Sequence, residues 1–335
     1  MKKYNWAVLG CGKIAHKFIS DLKLLPNAKL YAAASRDLQR AKDFAGEWGF
    51  EKAYGSYDEM VNDPEVDVVY IATPHSHHHE HTLLCLNHKK AVLCEKAFSL
   101  NGKEVAEMID TAKANNTFLM EAFWTMFQPS FQQAMEILKS GELGKLKIVR
   151  SDFAFNAPFL EDKRLYNVEL GGGSLLDIGI YPVFAALTSL GVPKTVKTFA
   201  DFSPTGSEES INIIFKYADG SLANLTSSFA AHSPTQTEYL CEKGYLILNP
   251  RWFTPTNITI MKEGEEPKTL PKQHREGWGY QYEAEHVMEC LDQALIESPK
   301  MTWKLSQDLI DLLDRIRIDA GIFFGDRDKN IFSEF

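Results

Sequence analysis

At 335 residues the chain is too long for one ordinary hydrophobic core and is a natural length for two domains. Its 44% hydrophobic and 24% charged residues are the composition of a folded globular protein, which excludes a largely disordered chain. The net charge of -9 leaves no electrostatic footprint for nucleic acid or an anionic membrane, and no apolar run is expected to reach the roughly 20 residues of a membrane span.

The N-terminus runs straight into a strand-like segment, without the apolar stretch and cleavage site of a secretory signal. Five cysteines (Cys11, Cys85, Cys94, Cys241, Cys290) are scattered and lack CxxC spacing, which argues against a disulfide framework or a zinc site. A cytoplasmic protein in a reducing compartment is expected.

Over the first 120 residues, strand-like runs alternate with amphipathic stretches. Trp6–Leu9 precedes a segment with Ile14, Phe18, Leu22 and Leu25 at helical spacing; Leu30–Ala34 precedes a helix over Leu38–Trp48. Val66–Ala72 is a third strand, Thr82–Asn87 a helix, Ala91–Cys94 a fourth strand, Lys103–Ala114 a helix and Phe118–Met120 a fifth strand. Strands alternating with helices, and apolar on both faces, predict a doubly wound parallel sheet. After residue 145 the pattern changes. Leu146–Phe155, Val196–Phe202, Ile211–Tyr217, Leu222–Phe229, Thr237–Glu242, Tyr245–Leu248 and Ile258–Met261 read as strands joined by tight turns, which predicts a large, mainly antiparallel sheet. Helical patterning returns in Tyr282–Leu295 and Lys304–Phe324. The fold class is α/β: a Rossmann domain over 1–122, then an α+β domain over 123–335.

Gly10-Cys11-Gly12-Lys13-Ile14-Ala15 lies between the first strand and the first helix. The first glycine permits a tight turn, the second admits a pyrophosphate against the backbone, and small Ala15 lets helix and strand pack closely. The helix N-terminus then offers unpaired N–H groups to the phosphates. An NAD site places an acid about 20 residues beyond the glycines. Here Ser35-Arg36-Asp37 stands at that point, with Arg40 one turn later. Ser35 with Arg36 and Arg40 suits the 2′-phosphate of NADP; NAD remains possible if Asp37 takes the ribose instead.

Thr73-Pro74-His75-Ser76-His77-His78-His79-Glu80-His81 follows the third strand, at the sheet edge where ligands bind. His77 and His81 have i,i+4 spacing, but no HExxH is present. The preferred reading is a cofactor-side loop in which Thr73, His75 and His78 face the cofactor and the other histidines are solvated. Glu95-Lys96 ends the fourth strand at the same edge. A cationic nicotinamide would pull the lysine's pKa down and make it a proton acceptor; a surface lysine paired with Glu95 is the plainer alternative. In Gly171–Pro182, Pro182 predicts a helix beginning near Asp177 and running through Leu190. Asp177 and Tyr181 would then share a face. They read either as an acid–base pair or as an N-cap and a core tyrosine.

Together, the Gly10–Ala15 loop, the Thr73–His81 loop, Glu95-Lys96 and Asp177–Tyr181 resemble the glucose-fructose oxidoreductase/inositol dehydrogenase/MocA family. Ala53–Tyr57, Phe118–Thr125 and Leu248-Asn249-Pro250 resemble its dimeric dihydrodiol dehydrogenase and D-xylose dehydrogenase branch. The resemblance implies NADP-dependent hydride transfer with a sugar, polyol or trans-dihydrodiol, and a homodimer formed through the C-terminal sheet. It assigns Lys96, Asp177 and Tyr181 to catalysis, Glu95, Lys96 and Trp124 to the cofactor side, and Trp124, Phe153, Tyr181 and Trp252 to the substrate pocket. Two residues depart from the family pattern. Ala97 replaces a proline, so the preceding peptide bond is either cis or relaxed to trans, and Met126 replaces an arginine. These departures motivate a second reading, a non-catalytic nucleotide-sensing regulator, and a third reading is an NAD-dependent glycoside hydrolase.

Overall fold

The computed structural model describes residues 2–328. The chain forms two compact units: one takes the chain up to Met126 and again Arg275–Gln307, the other takes Phe127–His274 and the chain from Asp308 on.

The first unit contains β1 (Tyr4–Leu9), α1 (Lys13–Leu22), β2 (Ala28–Ala34), α2 (Leu38–Trp48), β3 (Lys52–Tyr54), α3 (Tyr57–Val61), β4 (Val68–Ile71), α4 (His78–Asn87), β5 (Ala91–Glu95), α5 (Gly102–Asn115) and β6 (Leu119–Ala122). Its strands are all parallel, in the order β3-β2-β1-β4-β5-β6. Strand order reverses between β1 and β4, so the loops leaving those two strands flank the crevice where such sheets bind ligands. The apolar runs read from the sequence are the buried strands: Val68–Ile71 and Ala91–Glu95 are buried throughout.

β3 and α3, three and five residues long, are too short to show a sequence period, and a polar anchor helps hold β3 in place. The buried Asp63 carboxylate accepts hydrogen bonds from Tyr31 (3.1 Å), Tyr54 (2.5 Å) and Lys52 (2.7 Å). These partners pull its pKa far below the usual carboxylate range despite burial. Helix α4 starts at His78, four residues before the expected Thr82, since its first turn is made of histidines rather than apolar residues.

The second unit contains α6 (Pro129–Ser140), β7 (Leu146–Ala154), α7 (Ile180–Leu190), β8 (Thr195–Phe202), β9 (Glu208–Lys216), β10 (Leu222–Ser228), β11 (Thr237–Cys241), β12 (Gly244–Leu248), β13 (Ile258–Lys262) and β14 (Lys268–Leu270). The strands form one sheet, ordered β14-β13-β12-β11-β7-β10-β9-β8. Neighbours are antiparallel except β7 and β10, which pair in parallel. That exception follows from connectivity: β7 leads not into a hairpin but into a long segment that includes α7, and only such a crossover joins parallel neighbours. One face is covered by α7, which packs on β7 and β10; along β9, buried Ile211, Ile213 and Phe215 alternate with exposed Asn212, Ile214 and Lys216. The sequence reading assigns no element to α6, although Pro129 at its first position and Gly141 at φ 75° just past its end are the usual start and stop signals.

One sequence expectation about apolar runs is corrected here. Val168–Leu190 is 23 residues long and meets the length and composition of a membrane span, yet 89% of its apolar window is buried inside the fold. It is the core segment under the large sheet.

Two further helices are α8 (Gln281–Asp292) and α9 (Trp303–Ala320). α8 belongs to the first unit, which corrects the single boundary between residues 122 and 123. The physical reason is a buried carboxylate at the end of α1. Asp21 accepts the backbone N–H groups of Trp278 (2.9 Å), Gly279 (2.8 Å) and Tyr280 (2.9 Å), the donors that a helix start leaves unpaired. At the other end of α8, the Tyr4 hydroxyl donates to Asp292 at 2.7 Å.

Candidate active site

The Gly10–Ala15 loop leaves β1 and opens α1. Gly10 adopts φ 99°, and a Cβ there would lie 2.9 Å from Thr73 Cγ2 and 3.1 Å from the Ala72 carbonyl carbon. A Cβ on Gly12 would meet only the Ala72 oxygen, at 3.7 Å, so this side of the loop is open for a pyrophosphate. Gly12 caps α1 without any side-chain hydrogen bond, leaving the first-turn N–H groups of Lys13 and Ile14 to a bound anion. This cradle fits a nicotinamide dinucleotide.

At the end of β2, Ser35 is buried and accepts the Asp37 N–H at 3.3 Å. Asp37 caps α2 through Oδ1, which accepts the Gln39 N–H (2.8 Å) and the Arg40 N–H (3.2 Å). Arg40, expected at a 2′-phosphate, instead grips the Cys11 carbonyl through Nη2 (2.7 Å) and Nε (3.2 Å). It thereby holds the glycine loop in shape. Arg36 is exposed at the rim of the same strand end.

In the loop after β4, His75–His77 form one 3-10 turn. His78 is fully buried, with Nε2 at 2.8 Å from the Thr73 carbonyl and Nδ1 at 2.8 Å from the Ala97 carbonyl. It thereby ties the Thr73 loop to the segment that follows Lys96. Burial pushes its imidazolium down to about 4, against the pull of the two carbonyls. His81 lies 3.1 Å from Thr73 Oγ1 and edge-on to Tyr57, and burial pushes it down to about 3. His75 is buried against His78, and His79 pairs with Glu107 at 3.0 Å. The expectation that the other histidines are solvated is corrected for His81, which α4 carries into the fold. Among the described residues no group of three or more His, Cys, Asp or Glu side chains is placed to hold a metal.

Lys96 follows β5, and the Lys96–Ala97 peptide bond is cis, the first of the two forms expected. Glu95, expected on the cofactor side, accepts a short hydrogen bond from the buried Tyr70 hydroxyl inside the unit. Glu121 accepts the Phe98 N–H at 3.1 Å, fixing the turn beyond Lys96. Burial raises its carboxyl to about 7, with the Lys96 charge opposing that rise. Trp124 is buried and stacks on Tyr280, with ring centroids 4.2 Å apart and planes 7° from parallel. Tyr280 gave no signal in the sequence, because α8 returns to this unit from the far end of the chain.

In the second unit, Asp177 lies on a single π-helical turn, Leu175–Gly179, in which the Ile180 N–H reaches back to the Leu175 carbonyl. The helix thus begins two residues before Asp177 and passes into α7 just ahead of Pro182, which has no N–H to give to Ile178. Arg164 Nη1 donates to Asp177 Oδ1 at 2.9 Å, a partner the sequence reading missed because it lies in the irregular segment before the glycines. Tyr181 is buried with its ring 5.6 Å from Phe153, 5.2 Å from Phe253 and 6.4 Å from Trp252. Phe153 and Phe253 stack at 4.4 Å, so three expected residues and Phe253 form one aromatic cluster. Trp252 is fully buried, with Phe131 on its other side. It backs the tyrosine instead of lining a pocket, which corrects its expected role.

The comparisons with known proteins agree with this geometry. Residues 4–123 match the family model described as an oxidoreductase family with an NAD-binding Rossmann fold, and residues 131–247 match the GFO/IDH/MocA C-terminal domain. The trans-1,2-dihydrobenzene-1,2-diol dehydrogenase of Xenopus laevis is 36% identical over 330 residues, 96% of this chain and 99% of its own length. The Bos taurus enzyme of the same name is also 36% identical, over 96% of this chain and 98% of its own. Among solved structures, a 3-ketoreductase from Actinomadura kijaniata in complex with NADP and TDP-benzene matches with TM-score 0.82 and 26% identity, over 95% of this chain and 98% of that one. An aldose-aldose oxidoreductase from Caulobacter crescentus shares the fold, with TM-score 0.87 and 22% identity over 96% and 98% of the two chains. Both halves of the chain and its full-length relatives lead to one assignment: this protein belongs to the GFO/IDH/MocA family of NAD(P)-dependent oxidoreductases.

Proposed function

We propose that the protein is an NADP-dependent dehydrogenase of small cyclic polyols, oxidising a secondary alcohol carbon of a trans-dihydrodiol or a hemiacetal carbon of a pyranose sugar. The observation that carries this reading is the Tyr181 phenol set among Phe153 and Phe253, in the unit that also presents the Arg164–Asp177 pair. Flat aromatic walls suit an unsaturated ring, and a phenol beside a carboxylate suits removal of a hydroxyl proton.

Gly10, Gly12 and the α1 N-terminus hold the pyrophosphate, and Arg36 meets the 2′-phosphate. Bound NADP supplies the hydride acceptor. Tyr181 takes the hydroxyl proton. The Lys96 ammonium lowers the phenol's pKa by its charge, or the neutral Lys96 amine accepts the proton in place of the phenol. Asp177, held by Arg164, fixes the orientation of the alcohol.

The test is reduction of NADP and NAD, followed at 340 nm, across trans-dihydrodiols, aldoses and inositols. NADP reduction with one of these substrates supports the reading. Tightly retained cofactor with glycoside cleavage and no net NADPH would support a hydrolase, and cofactor binding with no turnover at all would support a regulator. Arg36→Ala is expected to lower kcat/KM for NADP at least about tenfold, the worth of one charge-assisted phosphate contact, and to leave the value for NAD unchanged. An equal loss with both cofactors would remove Arg36 from the 2′-phosphate.

We further propose a homodimer formed through the open face of the large sheet, in a cytoplasmic setting. That face presents Phe199 and Ile214, both exposed, together with Leu240, Ile247 and the Arg150–Glu238 pair at 3.6 Å. The five cysteines are free, which suits a reducing compartment. Light scattering is expected to give the mass of two chains; the mass of one would refute the dimer.

A further inference from the structure

We propose that Glu208 is a positioning residue for catalysis: its buried carboxyl clasps the π turn Leu175–Gly179 to the ends of β9 and β10, and so sets where Asp177 and Tyr181 project. The inference rests on the reading of those two residues as catalytic.

Glu208 opens β9 and is buried. Its Oε2 accepts the Leu175 N–H at 2.9 Å, and its Oε1 accepts a short hydrogen bond from the Ser174 hydroxyl. Ser174 also meets Ser227 of β10, at 2.8 Å. The far end of the turn touches the same place, since a Cβ on Gly179 would stand 2.6 Å from Ser227 Oγ. At the near end Gly173 adopts φ 126°, and its Cβ would stand 3.0 Å from Glu208 Oε2. Both ends of the turn are therefore seated on the last rungs of one antiparallel pair, in which Ser228 lies opposite Ser210. Asp177 sits midway between those ends, and Tyr181 follows two residues beyond Gly179.

A buried carboxyl is a costly way to fill space, and an apolar side chain would fill it at less expense. What the carboxyl adds is direction: one oxygen aimed at a backbone N–H and the other at a hydroxyl. Burial raises this group to about 8, toward the neutral acid; an amide of the same shape keeps one oxygen to accept the Leu175 N–H and an NH2 that can donate to Ser174 Oγ. A shift of the turn by about 1 Å is enough to cost a reaction about 100-fold when it misplaces the reacting groups.

The experiment compares wild type, Glu208→Ala, Glu208→Gln and Tyr181→Phe in the full chain, after circular dichroism shows each to be folded. Glu208→Ala is expected to lower kcat at least tenfold while KM for NADP stays within twofold of wild type. Glu208→Gln is expected to restore at least half of the wild-type kcat, which loss of a merely structural group would not require. A folded Glu208→Ala protein with wild-type kcat overturns the inference, and so does a folded Glu208→Gln protein as slow as the alanine variant. If Glu208→Ala does not fold, Ser174→Ala removes one of the two bonds, and an unchanged kcat there overturns it equally. Tyr181→Phe separates the two layers of argument. If that variant keeps full activity, the catalytic reading itself has failed; if it is slow while Glu208→Ala is not, only the positioning role has failed.

Discussion

Tyr181→Phe is expected to lower kcat by at least about 100-fold, the lower end of what a positioned acid–base group contributes, with little change in melting temperature. The substitution removes one oxygen and keeps the ring, and the ring is what packs against Phe153, Trp252 and Phe253. An unchanged melting temperature would mark the loss as chemical rather than structural. Lys96→Ala is expected to cost as much, since the proposed mechanism assigns both residues to one proton transfer. Combining the two changes should cost far less than the product of the separate losses, since groups that serve one proton transfer are not additive. Steady-state rates at 340 nm with the substrate found in the panel provide the check. Two variants each within threefold of wild type would sink this assignment.

Gly10→Ala is expected to weaken NADPH binding at least about tenfold and to lower the melting temperature by a few degrees; a positive-φ side chain alone costs about 1–3 kcal/mol. The backbone of Ala72 lies 3.1 Å from the new Cβ and cannot yield as a flexible side chain would. The loop has little freedom to swing away, because the Gly10 N–H bonds the Ala34 carbonyl at 3.0 Å and its own carbonyl accepts the Gly12 N–H at 3.0 Å. Gly12→Ala provides the contrast. Its Cβ has only one neighbour, at 3.7 Å, so the melting temperature should hold while affinity falls, the methyl now standing where the pyrophosphate approaches. Fluorescence titration with NADPH and a thermal melt separate the two. Equal melting temperatures for wild type and Gly10→Ala would show that the loop tolerates the strain.

Much of this architecture was legible in the sequence because its signals are local. Strands buried on both faces, such as Val68–Ile71, announce a parallel sheet, and a glycine loop between strand and helix announces a dinucleotide. Other features depend on partners distant in sequence. β3 is anchored where Tyr54 and Lys52 reach Asp63, Arg40 grips the Cys11 carbonyl, and Asp177 is held by Arg164. The parallel pairing of β7 with β10 is also a property of the connection between them, which no strand's own residues encode. The roles of Lys96 and Tyr181 came from family resemblance, since a lysine or a tyrosine at a sheet edge or helix start is by itself unremarkable.

The Asp21 carboxylate has a consequence for synthesis. Its backbone partners lie 257 to 259 residues downstream, so the unit that leaves the ribosome first cannot complete its hydrogen bonding until nearly the whole chain has been made. While the strands of the large sheet emerge, the end of α1 holds a carboxylate open to water that is later buried. The nucleotide-binding half, begun first, thus has its last contacts supplied by the chain's closing stretch. A nascent protein cut short before Arg275 would carry every glycine of the cofactor cradle and still lack the segment that finishes the unit around it.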